Sequence, residues 1–140
     1  MKKRCAFVFA ASLALASAAV PVFAHHSFAA QYDRAKPVEL TGLVTKIDWI
    51  NPHARFFVDV RIDVKDGGEG KLVNWEIELG PPAGLMRRGW TRNSLKIGDR
   101  VTVNGFLAKD GSSLANASTV GLSDGRRVFA GSSADNETPR

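Results

Sequence analysis

Cysteine is nearly missing from this chain, and the single one, Cys5, lies in an apolar leader. Beyond that leader no disulfide and no cysteine metal centre can form, so stability must come from packing. Tyrosine occurs once, methionine twice and histidine three times in 140 residues. A strong positive charge is lacking as well. Three of the 19 lysines and arginines fall in the first four residues, and without them 16 basic residues face 14 acidic ones, a formal charge of +2. Nucleic acid is therefore not an expected partner. Apolar runs long enough to cross a membrane are absent, and no catalytic constellation is read, so the chain is expected to bind rather than to catalyse.

What is present begins with a leader. Met1-Lys2-Lys3-Arg4 is basic, Ala6 to Val20 is apolar and rich in alanine, and Val22-Phe23-Ala24 is a small-x-small cleavage pattern. The apolar run of roughly 15 residues is shorter than the roughly 20 a spanning helix needs. Residues 1–24 are thus expected to be a signal peptide, and the product periplasmic or secreted with no transmembrane segment. A cut after Ala24 would make His25 the first residue, with a free amine and an imidazole on one Cα. Two such nitrogens form a chelate suited to copper(II), which favours nitrogen donors in a tetragonal plane. The other histidines, His26 and His53, are candidates for a further nitrogen.

Residues 25–37 show no clean periodicity and read as an extended arm anchored by Phe28 and Tyr32 and closed by Pro37. From residue 38 the pattern alternates. A first strand carries Leu40, Gly42 and Val44 against Thr41, Leu43 and Thr45, with Gly42 suited to a bend or bulge. Asn51-Pro52 predicts a type I turn. The second strand places Phe56, Val58, Val60, Ile62 and Val64 on one side, and 66–70 supplies a glycine-rich hairpin loop. The third, over 72–79, points Val73, Trp75, Ile77 and Leu79 inward and Asn74, Glu76 and Glu78 outward. A helix over 82–88 ends at Gly89, with Trp90 beyond it as the apolar contact of the cap. Strand four follows with Val101 and Val103, strand five over 114–120 after an Asp110-Gly111 turn, and a short extra strand through Val128 and Phe129.

Three strands, a helix and two strands is the order of an OB-type barrel, so the expected fold is all-β, a small five-stranded OB-like barrel over 38–129. Another small barrel or an open sandwich is the alternative. Residues 130–140, polar with Gly, Ser and Pro, are expected to be a disordered tail.

Around the histidines, Trp49, Asn51 and Arg55 are candidates to flank a ligand at the mouth of the barrel. Glu76 and Glu78 share a strand face and read as a solvated pair. Arg87, Arg88 and Arg92 read as a charged helix surface and Met86 as a packing residue.

His25-His26-Ser27-Phe28-Ala29-Ala30-Gln31-Tyr32-Asp33, Trp49-Ile50-Asn51-Pro52-His53-Ala54, Gly80-Pro81-Pro82 with Leu85 and Arg88-Gly89-Trp90, and Gly98-Asp99-Arg100-Val101 together resemble a family of small exported bacterial proteins classed as a domain of unknown function. The resemblance covers most of the chain after the leader. It implies an exported one-domain protein and brings no activity, cofactor or catalytic residue with it. The histidine start also resembles, over His25 and one further histidine only, the N-terminal histidine of periplasmic copper carriers and copper oxygenases. The expected function is a small exported binding protein, copper-binding through His25. The alternative is a metal-free adaptor for a partner protein or small ligand.

Overall fold

The computed structural model describes residues 28–63 and 70–131. One helical turn, α1 (Phe28–Gln31), runs directly into the long strand β1 (Tyr32–Asp48). There follow β2 (Arg55–Ile62), β3 (Lys71–Glu78), the helix α2 (Pro82–Arg87), β4 (Arg100–Ala108), β5 (Leu114–Leu122) and β6 (Arg127–Phe129). The fold is all-β, with α2 between the third and fourth strands. β1 pairs antiparallel with β2 and with β4, β2 pairs with β3, and β5 lies between β4 and β6. A parallel junction of residues 76–78 with 114–116 joins β3 to β5. The first five strands therefore close into a ring of pairings, β1-β2-β3-β5-β4-β1.

Alternation along the strands makes the core. Phe56, Val58 and Val60 of β2 are buried with Leu40 and Val44 of β1, Ile77 of β3, Val101 and Val103 of β4, and Ala115 and Ala117 of β5. Ile62, expected with them, is exposed, and Val64 and loop positions 66–69 lie outside the described residues. In β1 the register to β2 shifts between Val44 and Lys46. That bulge changes which side chains face inward, so Ile47 packs against the core although it continues the outward row of Leu43. At Gly42 a Cβ would collide with the Asp59 carbonyl of β2.

The α2 segment closes the core with Leu85, Trp90 and Leu95. Its end is a Schellman arrangement: the Trp90 N–H donates to the Leu85 carbonyl and the Gly89 N–H to that of Met86, with Gly89 at φ +91°. Trp90 shares the core with Leu85, which is the contact expected after the cap.

Several expectations change. β1 begins at Tyr32, so the latter part of the predicted arm is strand; the register to β4 slips between Tyr32 and Pro37, an irregularity that accommodates a proline. The Asn51–Pro52 peptide is cis, and residues 51–52 form a bend rather than a hydrogen-bonded turn. Ala130 is buried, donating its N–H to the Ser118 carbonyl and accepting from the Gly80 N–H, so the chain is tied down past residue 129. Residues 132–140 lie outside the described residues.

A second apolar cluster sits apart from the first. Phe28, Tyr32 and Ala108 are buried there, with Phe106 and Leu114 packed against them. Ala115 and Ala117 face the core, so Leu114 and Asn116, alternating with them, leave β5 on the other face. The α1 turn thus covers a patch on the outside of the ring.

Candidate functional site

Beneath that cover lies a row of polar side chains. Arg55 of β2 is opposite Glu78 of β3, Glu78 is opposite Asn116 of β5, and Asn116 is opposite Phe106 of β4. All leave the sheet on the outward face, because Phe56, Ile77 and Ala115 beside them face the core. Alternation alone predicts solvated carboxylates here. Glu76 does remain partly open, but Glu78 is only 4% exposed and Asn116 is fully buried.

A buried carboxylate is tolerated when donors surround it. The Asn116 side-chain amide donates to Oε1 of Glu78 at 3.2 Å. His53, just ahead of β2, brings Nδ1 to 3.2 Å from the same oxygen. Arg55 places Nη2 3.7 Å from the other oxygen, Oε2, and its Nη1 donates to Oε1 of Glu76 at 2.6 Å. One guanidinium therefore bridges both carboxylates. This cluster departs from the solvated pair predicted for Glu76 and Glu78. Nothing local in β3 signals it, because the partners come from elsewhere in the chain, Asn116 from β5 and His53 from the segment before β2.

The cover is built from rings. Phe28 stacks on Tyr32 with centroids 5.5 Å apart and meets Phe106 edge-on at the same separation. The Gln31 carbonyl accepts from the Lys109 N–H, and the Ala29 carbonyl accepts from Lys109 Nζ. Phe28 and Tyr32 are thus the anchors expected of them. The Tyr32 hydroxyl is buried and lies beside Glu78. Burial, and then the negative charge of Glu78, hold this phenol well above the ordinary tyrosine range.

Chemically, the row prepares His53. A carboxylate beside Nδ1 favours the Nδ1–H tautomer, which leaves Nε2 with a lone pair for a metal or a proton. The imidazole is 27% exposed, so it is open on part of its surface. Among the described residues no group of three or more His, Cys, Asp and Glu could hold a metal ion, so His53 would furnish only part of a ligand set. His25 and His26 lie outside the described residues.

The ligand candidates separate. Trp49 and Arg55 line one small cleft of about 10 Å³ with Trp90 and Arg92, the two indole rings 6.5 Å apart. Asn51 is exposed and does not line it. Arg88 stacks on Phe129 at 4.2 Å, while Arg87, Arg92 and Met86 are exposed. The string Gly121-Leu122-Ser123-Asp124-Gly125 spells Gly-x-Ser-x-Gly. It runs from the end of β5 into the turn before β6, where Asp124 accepts from the backbone and side chain of Arg126. A hydrolase nucleophile needs a strand-to-helix elbow, so the match is one of spelling.

Fold and site together define a small all-β protein with a buried carboxylate, histidine and arginine cluster under its N-terminal turn. Residues 12–117 match the family of unknown function DUF6152, and the chain belongs to that family. No curated protein matches the chain. No helix among the described residues is long and apolar enough to cross a membrane.

Proposed function

We propose that this is an exported small binding protein of OB-like build that takes copper(II), with the amine and imidazole of His25 and Nε2 of His53 as ligands and His26 as a competing donor. The ring order, the parallel closure of β3 on β5 and the helix before β4 support the OB-like reading. The observation that carries the metal reading is His53, whose Nδ1 lies 3.2 Å from a buried carboxylate; a proton on that nitrogen leaves Nε2 for a ligand. Reach agrees with it. His25 is three residues before Phe28, a span of at most roughly 11 Å of chain, and Phe28 is stacked on the tyrosine whose hydroxyl faces Glu78.

Two measurements test this. Intact mass of the exported protein is expected to give a chain starting at His25; another start removes the amine chelate. Copper(II) titration is then expected to show a large loss of affinity on adding one residue before His25, and a smaller one for His53→Ala. Equal affinity in all three proteins would leave the metal-free adaptor as the reading. For that adaptor a protein partner suits the Trp49 side better than a small ligand, since the cleft there has a volume of about 10 Å³, against the roughly 300–1,000 Å³ of ligand pockets.

A further inference from the structure

We infer that Phe28 is a positioning residue for His53, acting through the Glu78 carboxylate that it helps to keep dry. The inference deepens the metal reading of the same site, but its first readout does not depend on metal.

Two glutamates share one face of β3. The side chain of Glu76 is 30% exposed and that of Glu78 only 6%, although they are two residues apart with the same orientation. What differs is the cover. Phe106, Asn116 and Glu78 form one lateral row, and Phe28 packs edge-on to Phe106 while stacking on Tyr32. Phe28 is itself buried, so its ring is walled in rather than lying loosely on the surface. A carboxylate in water trades its donors for solvent. Shielded from water, it holds them more strongly, because charge-assisted hydrogen bonds gain as the local dielectric falls. The Asn116 amide is one of those donors, and His53 Nδ1 lies 3.2 Å from the same Oε1, near enough for a proton on Nδ1 to be favoured by the charge. The α1 turn therefore sets the orientation of a side chain it does not need to touch.

The test is nitrogen NMR of histidine-labelled full-length protein without metal, at a pH where the imidazole is neutral. Wild type is expected to show His53 as the Nδ1–H tautomer. Glu78→Gln, which weakens the acceptor, sets the scale of the change. Phe28→Ala is expected to move the His53 signals in the same direction towards a mixture of tautomers, and Phe28→Leu to move them less. Copper(II) binding in Phe28→Ala is expected to weaken about tenfold, the usual effect of disturbing a group behind a ligand. If Phe28→Ala loses its cooperative thermal transition, Phe28→Leu decides alone. Wild-type His53 signals in a folded Phe28 variant, or no response to Glu78→Gln, would overturn the inference. A protein that binds no copper but shows the tautomer change would sink the metal reading and leave this one standing.

Discussion

Tyr32 is the only tyrosine in the chain, so its phenol can be titrated without overlap from another. Burial and the neighbouring Glu78 raise it in the folded state, while the unfolded phenol keeps a value of about 10. Below that value both states hold the proton and the group contributes nothing to the pH dependence. Above it the unfolded chain gives up its proton first and the folded chain keeps it. Stability should then fall by about 1.4 kcal/mol for each pH unit above about 10. Urea unfolding at a series of alkaline pH values measures the slope, and the absorbance of the phenolate should appear only with unfolding. Tyr32→Phe removes this contribution, so its slope should be flatter by that amount. An unchanged slope in the variant would place the pH dependence on the lysines instead.

At the level of elements, α2 shows how a short segment is fixed by its end. The helix has six residues and no side-chain cap at its start, so its closing turn matters more. Gly89 stands at φ +91° with nothing near the site of a Cβ, and the cost of an alanine there is therefore the backbone conformation alone. Gly89→Ala should lower stability by about 1 kcal/mol, a fall of roughly 4–8 °C in a domain this size, measured as the thermal midpoint. This cap was legible in the sequence because its signals are local: proline at the start, glycine after the last turn, tryptophan one residue later. β2 was legible for a similar reason, since Phe56, Val58 and Val60 repeat at the spacing of the strand itself. The bulge at Thr45 was not, because it is set by how β1 must bend between two partner strands. Glu78 was hidden in the same way. Tyr32, His53 and Asn116 surround it, and they are near it only after the ring has closed.

For the whole molecule, closure is the decisive event, and it rests on a short junction. β1 meets β4 and β2 along most of its length, whereas β3 meets β5 over only three residue pairs. Parallel pairing is also the slightly weaker kind. The Glu76 N–H donates to the Ser113 carbonyl at this junction, and the Asn116 amide crosses it to Glu78. The candidate site and the closure of the ring therefore share Glu76, Glu78 and Asn116, and any ligand held by His53 would bear on one of the shortest pairings in the sheet. Asn116→Ala tests the link. It takes a donor from a buried carboxylate, so the expected loss is about 2–3 kcal/mol in urea unfolding. The loss should also be uneven. Amide exchange should quicken first at residues 76–78 and 114–116, while the β1–β4 pairing exchanges only with global unfolding, as expected when one cooperative unit opens before the rest. Equal acceleration across all five strands would mean that the junction has no separate opening and that the ring yields as one body.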